Sequence, residues 1–333
     1  MTAANAQMTT TGEDSAAASH GTVVILLASF QGAEFIQAQL DSIAAQSHRD
    51  WQLIVSDDGS RDGTRDIVSR FAAGFSEGKI SLIDGPQSGA TQNFLHLVQQ
   101  APANRTLAFC DQDDVWFPDK LARAMAHLAR IAGAGHYAAR TVITDDDLRP
   151  VARSRQFRRK FGFRNALVQA CMAGNTSVFN PAAANLLKQG AAAARRAGVE
   201  SHDWWAYQLT SGAGATLIHD EVPALFYRQH RHSTMGRNDT PRAMAARLAQ
   251  LFAGAYGGWL SANLQALGAV GNLLTGENRR LVADVDAALP LPGPQAARAL
   301  RRLGLYRHTR AGTAALYAAA AVGRLRQPRS PST

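Results

Sequence analysis

The chain has 333 residues, and its hydrophobic content of 46% is enough for one large domain with a buried core. Its two cysteines, Cys110 and Cys171, lie far apart, which excludes a disulfide framework and a thiolate metal site and favours a reducing cytoplasm. The formal net charge is +9, but eight arginines and no acidic residue follow Asp286, so the body is close to neutral and is not expected to bind nucleic acid.

The N-terminal residues have the composition of an unstructured segment. Residues 1–20 are rich in Ala, Thr, Ser and Asn, and they include Glu13 and Asp14. They lack the basic start and the apolar core of a signal peptide, so we expect a disordered leader. No apolar run anywhere in the sequence reaches the length of a membrane-spanning helix.

Apolar runs of strand length alternate with segments of helical periodicity over the next hundred residues. Strands are predicted over residues 22–29, 51–56, 80–83 and 107–110. Helices are predicted over residues 34–45, 91–100 and 118–131, and through Ile67, Val68 and Phe71. This alternation predicts a mostly parallel, doubly wound α/β sheet, in which ligands bind beyond the carboxyl ends of the strands.

The later part of the chain is less regular. A fifth strand is predicted over 138–144, a basic exposed segment over 153–164, a helix over 181–197 and mostly helical structure over 241–288. Three prolines (290, 292 and 294) precede a basic end. We therefore expect four parts, namely the leader 1–20, a catalytic domain 21–240, a helical extension 241–289 and a basic tail 290–333.

Acidic residues cluster directly after two of the predicted strands. Asp57 and Asp58 follow the second strand, and Asp111, Asp113 and Asp114 follow the fourth. Carboxylates this close repel one another unless a cation or protons neutralise them, and Mg²⁺ or Mn²⁺ prefers oxygen ligands of this kind. The alternative is an acidic turn that caps the next helix. No GxGxxG follows the first strand and no P-loop motif is present, which disfavours those nucleotide sites.

Several motifs, in order, carry a resemblance to a known family. They are SFQG at 29–32, DDGSRDGT at 57–64, CDQDDVW at 110–116, PDKL at 118–121, HDWW at 202–205 and YRQH at 227–230. The chain resembles the family-2 glycosyltransferases of GT-A fold, and most closely their bacterial rhamnosyltransferase-like branch. It departs from that pattern at Gln31, where Asn is usual. Residues 241–333 lie outside the resemblance.

The resemblance implies roles on the donor side. Asp113, assisted by Asp111, would hold Mg²⁺ or Mn²⁺. Asp114 is the acid for which the helix-facing alternative is kept. Asp58 would contact the nucleoside, and Arg228 and His230 would contact the diphosphate, with His230 as a further metal ligand. The weaker donor-side candidates are Ser29, Asp57 and Asn93.

The resemblance also implies an acceptor side. Asp203 would be the general base that takes a proton from the acceptor hydroxyl, which implies inversion at the anomeric carbon. Trp204 and Trp205 would wall the acceptor site, with core packing as the alternative for at least one of them. The remaining acceptor-side candidates are Gly174, Asn175 and His202.

Together these features predict an enzyme, a metal-dependent inverting glycosyltransferase. Its best donor is dTDP-L-rhamnose, and its acceptor is a cell-surface glycan or a lipid-linked saccharide. A UDP-hexose donor, or a non-catalytic nucleotide- or glycan-binding module, is the alternative. The basic tail could attach a cytoplasmic enzyme to the anionic inner membrane face, or it could pack on the body.

Overall fold

The computed structural model describes residues 21–230 and 254–326. The predicted leader, residues 241–253 of the predicted helical extension and residues 327–333 of the predicted tail lie outside that description.

The strands fall into two sheets. They are β1 (Val23–Ser29), β2 (Trp51–Asp57), β3 (Ile80–Asp84), β4 (Thr106–Cys110), β5 (Val115–Trp116), β6 (Gly135–Ala139), β7 (Val142–Thr144), β8 (Pro150–Arg153), β9 (Val178–Phe179), β10 (Thr216–Asp220) and β11 (Leu225–Arg228). A seven-stranded sheet has the order β10-β6-β9-β4-β1-β2-β3 and is parallel except for β9. A smaller sheet has the order β5-β11-β7-β8.

Helices flank the larger sheet and continue beyond it. They are α1 (Ile36–Ala44), α2 (Thr64–Ala72), α3 (Ala90–Gln100), α4 (Lys120–Leu128), α5 (Phe163–Ala166), α6 (Pro181–Ala197), α7 (His202–Gly212), α8 (Ala255–Ala269), α9 (Gly276–Ala288), α10 (Gly293–Arg302) and α11 (Arg310–Ala321). Up to residue 131 the predicted elements are confirmed, with bounds that shift by at most three residues. The helix predicted over 181–197 is confirmed at both ends.

Strand β1 explains why the sheet is covered on both faces. It is a continuous apolar run between two parallel neighbours, so its side chains alternate between two separate cores. Val24 and Leu26 pack in the core that contains α3, whereas Ile25 and Leu27 pack in the core that contains α1. The predicted mostly parallel, doubly wound α/β architecture is thereby confirmed.

The fifth strand predicted over 138–144 is wrong, because the chain changes sheets inside it. Strand β6 ends at Ala139 in the large sheet, and β7 begins at Val142 in the small one. Between them, the Arg140 guanidinium donates to the Ser154 carbonyl at 3.0 Å and its amide donates to the Asp220 carbonyl at 3.0 Å. These bonds anchor the crossing between the two sheets.

The segment 153–164 is less exposed than predicted. Phe157 and Phe161 pack partly buried against the main core, and both rings contact His219 and His308. Arg159 stacks 4.2 Å over the Tyr306 ring. The apolar residues of this segment thus direct it onto the body, although its arginines and lysine are mostly exposed.

The C-terminal helices share a hydrophobic core with the sheet domain. Leu300, Leu316 and Leu325 are buried in the same cluster as Trp205 of α7. The predicted helical C-terminal extension is confirmed, and the described part of the basic tail packs on the body. The boundaries at residues 240 and 289 stay predictions. Among the described residues, no helix is both long and apolar enough to cross a bilayer.

Candidate active site

The carboxyl edge of β1, β2 and β4 gathers both acidic segments. Ser29 pairs with Asp57 across β1 and β2, and Leu27 pairs with Cys110 across β1 and β4. Because these strands run parallel, the residues that follow them leave the sheet at the same edge. The two segments therefore lie on one side of the fold.

The carboxylate of Asp57 makes hydrogen bonds within its own part of the fold. Its carboxylate accepts hydrogen bonds from the Ser29 hydroxyl at 2.9 Å and from the hydroxyl and amide of Ser60 at 2.6 and 2.8 Å. Asp57 and Ser29 are both buried. The structure therefore gives these two predicted donor-side residues a role in shaping the turn after β2, because their polar atoms already pair with each other.

Asp58 and Asn93 also make internal contacts. The two Asp58 oxygens accept from the amides of Gln87 at 2.6 Å and Gly89 at 2.8 Å, and each oxygen can accept a further bond. The nucleoside role of Asp58 stays a prediction. Asn93 is 1% exposed and bonds the carbonyl and hydroxyl of Ser56, so it holds α3 against β2 and does not reach a donor.

Asp113 and His230 form the central pair of the site. The Asp113 Oδ2 and His230 Nε2 atoms lie 2.8 Å apart, and the imidazole ring packs 4.7 Å from the Phe35 ring. Carboxylate oxygen and imidazole nitrogen are suitable ligands for Mn²⁺, and the carboxylate also suits Mg²⁺. Within 21–230 and 254–326, no three His, Cys, Asp or Glu side chains group closely enough to hold a metal by themselves.

Asp111 lies within electrostatic range of this pair. Burial, together with the charges of Asp113 and Asp203, raises the pKa of Asp111 to about 7, and Lys120 acts in the opposite direction. A positive ion at this place would offset the repulsion among the three carboxylates. The residues present therefore fit a divalent cation.

Asp114 points away from that pair and into the protein. It is fully buried, and its Oδ2 accepts from the Asn175 side-chain amide at 2.7 Å. Burial raises its pKa well above the usual value, and the charges of Asp111 and Asp113 act in the same direction. Asp119 occupies the N-cap position of α4, and the expectation that Asp114 is the helix-facing acid stays a prediction.

Asp203 stands in the first turn of α7, beside the acidic cluster. Its Oδ2 accepts from the Gly174 amide at 3.1 Å, and its Oδ1 accepts from the hydroxyl of Ser201, the N-cap residue. Since Asn175 bonds Asp114, the short turn Gly174–Thr176 connects the candidate base to the acidic cluster. The predicted acceptor-side residues Gly174 and Asn175 are thus brought to the site as supports for carboxylates.

The sequence of this part of the chain matches a known family. Residues 24–185 match the family model described as glycosyl transferase family 2. The chain carries a family-2 glycosyltransferase domain. The predicted family is confirmed.

Two curated proteins that are similar to this chain are named as glycosyltransferases. The chain is 26% identical over 229 residues to the dTDP-rhamnosyl transferase RfbG of Shigella flexneri, covering 67% of this chain and 78% of RfbG. It is 30% identical over 99 residues to WfgD of Escherichia coli, named as a UDP-Glc:alpha-D-GlcNAc-diphosphoundecaprenol beta-1,3-glucosyltransferase. That match covers 30% of this chain and 38% of WfgD, so the chain spans well under half of this second relative.

Solved structures also overlap with the chain. S. aureus TarS 1-349 in complex with UDP-GlcNAc overlaps at a TM-score of 0.49 and 11% identity, covering 91% of this chain and 90% of that one. The mannosyltransferase PcManGT from Pyrobaculum calidifontis, in complex with GDP-Man and Mn²⁺, overlaps at 0.46 and 18%, covering 91% and 86%. Both scores lie below 0.5, and the family assignment rests on the family model.

Both tryptophans that open α7 are buried. Trp205 is fully buried, and Trp204 is 5% exposed, donates to the Ala166 carbonyl at 2.6 Å and stacks against Tyr256 of α8. The predicted acceptor walls are therefore wrong for both rings, because α8 and the core cover them. His202 stacks 3.9 Å from the Phe94 ring, and burial lowers its pKa to about 4, so it supports the start of α7 in its neutral form.

Arg228 is bonded to the backbone beside the acidic cluster. Its Nε donates to the Asp113 carbonyl at 3.0 Å, its Nη1 donates to the Asp146 carbonyl, and its guanidinium lies 4.7 Å from the Phe35 ring. At 6% exposure, Arg228 braces the backbone that carries Asp113. These bonds use two of the five guanidinium N–H groups, and the predicted diphosphate contact of Arg228 stays a prediction.

Two residues at the site had no predicted role. Gln112 bonds both the amide and the carbonyl of Phe30, at 2.9 and 3.0 Å, and so ties the acidic segment to the end of β1. Lys120 is completely buried at the start of α4. The position of Gln112 between two acids was a sequence signal for a role at the site. Lys120 gave no such signal, because a lysine at the start of an amphipathic helix is normally exposed.

Proposed function

We propose that this chain is a metal-dependent, inverting glycosyltransferase that moves a sugar from a nucleoside diphosphate to a hydroxyl group. The acceptor is a cell-surface glycan or its lipid-linked precursor. L-Rhamnose from dTDP-L-rhamnose is the first candidate donor, because RfbG carries that donor in its name and aligns over 67% of the chain. The family domain supports the reaction class.

The convergence of Asp113, His230 and Asp203 on one edge of the sheet carries this proposal. Asp113 and His230 are 117 residues apart in sequence and 2.8 Å apart in space. Asp203 and Asp114 accept hydrogen bonds from the adjacent residues Gly174 and Asn175, so the candidate base is near the acidic cluster. A ligand pair for a cation beside a candidate base suits transfer from a charged diphosphate.

Asp203 is the proposed general base. The Gly174 amide and the Ser201 hydroxyl fix its orientation, and its remaining lone pairs are available to an acceptor hydroxyl. Asp203 would take the proton while the acceptor oxygen attacks the anomeric carbon opposite the leaving diphosphate, and the configuration at that carbon inverts. Asp113 and His230, with Asp111, would hold Mg²⁺ or Mn²⁺, which neutralises charge on the leaving diphosphate when bound.

A UDP-hexose donor is the second candidate. WfgD carries UDP-Glc in its name and aligns at 30% identity over 99 residues. The choice of donor depends on the shape of the sugar pocket, which the motifs do not encode. An experiment is therefore needed to distinguish the two donors.

The test is a donor-hydrolysis screen of the full chain with dTDP-rhamnose, UDP-glucose, UDP-galactose and GDP-mannose, each with Mn²⁺, Mg²⁺ or EDTA. We expect one donor to be cleaved with a divalent ion and EDTA to abolish the cleavage. Binding without cleavage of any donor would favour a non-catalytic binding module. Cleavage that is unaffected by EDTA would remove the metal from the proposal.

The C-terminal helices suggest where the enzyme works. Helix α10 buries Ala296 and Leu300 and exposes Arg298, Arg301 and Arg302. We propose that these arginines attach the enzyme to the anionic inner face of the cytoplasmic membrane, at about 1 kcal/mol per charge.

Replacing all three arginines with Gln should leave the fold intact, because their side chains are exposed. Binding to phosphatidylglycerol-containing vesicles should weaken by roughly a hundredfold, as three lost charges imply. The matched control replaces three exposed arginines spread over the body with Gln, namely Arg70, Arg130 and Arg196. Equal weakening in both variants would indicate a general charge effect and no docking face.

A further inference from the structure

Gln112 lies between two of the proposed metal ligands, and the proposed chemistry does not use it. Its Oε1 accepts a hydrogen bond from the Phe30 amide at 2.9 Å, and its Nε2 donates to the Phe30 carbonyl at 3.0 Å. The ladder between β1 and β4 ends at the pair Leu27 and Cys110. Beyond that pair, the Gln112 side chain bridges the acidic segment 111–113 and the loop that follows β1.

The loop after β1, residues 29–33, is bonded on its other side to the turn after β2, residues 57–64. The Ser29 carbonyl accepts from the amide of Asp58, the proposed nucleoside contact, at 2.8 Å. The next amides of the loop donate to side-chain oxygens of the turn at 2.8 to 3.0 Å, namely Gln31 to Ser60, Gly32 to Thr64 and Ala33 to Asp62. A continuous set of hydrogen bonds therefore leads from the nucleoside turn, through this loop, to Gln112.

Gly32 of the loop packs directly against the Gln112 side chain. A side-chain carbon added at Gly32 would overlap Gln112 Oε1 and would lie 2.6 Å from Gln112 Cδ. The three nearest atoms to that carbon all belong to Gln112. Gly32 is buried, so the contact is part of the packing and is more than a pair of surface hydrogen bonds.

A nucleoside diphosphate that carries a divalent cation has to contact both sides of this bridge. Asp58 is the proposed contact of the nucleoside on one side, and Asp113 with His230 is the proposed ligand pair of the cation on the other. Two binding regions that are held at a fixed separation bind a ligand that spans both of them more tightly. The reason is that the second contact then forms without ordering the protein further.

We propose that Gln112 is a positioning residue that fixes the separation between the nucleoside turn and the cation ligands, so that one nucleoside diphosphate with its cation spans both. This inference rests on the proposed function. Gln112 acts through the backbone of Phe30 and not on the reacting atoms.

Gln112→Met tests the bridge, because methionine has a similar length and makes neither hydrogen bond. Calorimetry on the full chain gives three dissociation constants, for Mn²⁺ alone, for dTDP or UDP in EDTA, and for the same nucleotide with Mn²⁺. The Kd of the nucleotide with Mn²⁺ should rise by at least about tenfold, while the other two stay within about twofold. An unchanged Kd with Mn²⁺ would overturn the inference. Equal losses in all three would also overturn it, because Gln112 would then only support the local fold.

Gln46 supplies a matched control away from the acidic cluster. Its side chain also joins two distant backbone groups, because its Nε2 donates to the Phe117 carbonyl at 2.8 Å and its Oε1 accepts from the Leu121 amide at 3.1 Å. Gln46→Met should lower the Tm and leave all three dissociation constants within about twofold of the wild type. A rise in the Kd of the nucleotide with Mn²⁺ equal to that of Gln112→Met would contradict a specific role of Gln112.

Gly32→Ala displaces the Gln112 side chain without changing the acidic segment. In the wild type, this substitution should raise the Kd of the nucleotide with Mn²⁺ as Gln112→Ala does. In the Gln112→Ala background it should have almost no further effect, because the added carbon then has room. Additive losses would mean that Gly32→Ala acts through another contact, and they would count against the bridge.

The wild-type measurements separate this inference from the proposed function. If the wild type binds neither dTDP nor UDP with Mn²⁺, the proposed function fails and this inference fails with it. If the wild type binds one of them and Gln112→Met binds it equally well, only the role of Gln112 is overturned.

Discussion

At the scale of single residues, the candidate base differs from its acidic neighbours in how it is held. Asp57 and Asp114 are buried, and their oxygens face the interior. Asp203 is partly exposed, with one oxygen on the Gly174 amide and the other on the Ser201 hydroxyl. These two hydrogen bonds fix the orientation of the carboxylate, and its partial exposure leaves it accessible to an acceptor hydroxyl. A proton acceptor requires both properties.

Asp203→Asn removes the proton acceptor and keeps the shape of the side chain. We expect kcat to fall by about 10²- to 10⁴-fold, because an amide cannot act as a base, while the Kd for the donor stays within about twofold. Steady-state kinetics and donor binding by calorimetry measure the two quantities. A similar loss of both would mean that Asp203 is structural.

Asp220→Asn is the control for this change. Asp220 is also a hydrogen-bonded carboxylate, paired with the Tyr137 hydroxyl at 2.8 Å and with Arg123 at 3.1 Å, but it belongs to the edge strand β10. The control should lower stability and leave kcat unchanged. A control that lowers kcat as much as Asp203→Asn would contradict the assignment of the base.

At the scale of elements, the turn Gly174–Thr176 sets the place of α7. A side-chain carbon added at Gly174 would lie 2.8 Å from His202 Nε2 and 3.1 Å from Asp203 Cβ. These contacts are too short, so only glycine lets the turn approach the first residues of the helix. The position of Asp203 therefore depends on an element that lies 29 residues earlier in the chain.

Gly174→Ala should push the start of α7 away from the turn. We expect kcat to fall by about tenfold to a hundredfold, since a small misplacement of a catalytic group has effects of that size. Gly133→Ala is the matched control, because nothing lies within 4 Å of its added carbon. Equal kcat in the two variants would show that the close approach at Gly174 does not position the base.

Local patterns predicted the strands and the acidic clusters, because strand length and burial on both faces are visible in a short window. The prediction of one strand over residues 138–144 was wrong, because the chain changes sheets at Arg140. That crossing is stabilised by bonds to the distant residues Ser154 and Asp220, which a short sequence window does not include. Core packing was the alternative for at least one of Trp204 and Trp205, but the burial of Trp204 as well depends on a similarly distant contact. Tyr256 covers it, and the sequence gives no sign of which helix will cover which face.

Residues that are neighbours in one sequence motif have different contacts in the structure. Asp113 and His230 do lie together, as predicted. Arg228, two residues from His230, bonds the backbone carbonyls of Asp113 and Asp146. A motif shows which residues are near in sequence, whereas the direction of each side chain depends on contacts with residues more than 80 positions away.

At the scale of the whole molecule, His136 joins three parts of the structure. It lies on β6, and its ring nitrogens contact the Thr210 hydroxyl of α7 and the Ser177 hydroxyl before β9, each at 3.0 Å. It is 0% exposed, and burial lowers its pKa to about 3. The folded protein therefore holds His136 in its neutral form.

This burial predicts a pH dependence of stability. The unfolded chain protonates His136 below about pH 6.5, whereas the folded chain resists until about pH 3. The contribution of neutral His136 to the free energy of unfolding is therefore complete above pH 6.5. It declines as the pH falls toward 3, by up to about 1.4 kcal/mol per pH unit.

His136→Gln removes the titrating group from this position. Urea unfolding between pH 7.5 and 4.5 should show a shallower decline than in the wild type, whatever the stability of the variant at pH 7.5. Parallel curves would contradict a neutral buried His136.

Strand β9 has a consequence for how the protein is made. It is two residues long, and it alone joins β6 and β10 to the rest of the large sheet, with Phe179 opposite both Leu107 and His136. A ribosome delivers β4 and β6 well before β9. We expect the nascent chain to build the half-sheet of β1 to β4 first and to close the remaining gap after residue 179 has emerged. The candidate base lies further along the chain, so it reaches the acidic cluster only after β9 has been synthesised.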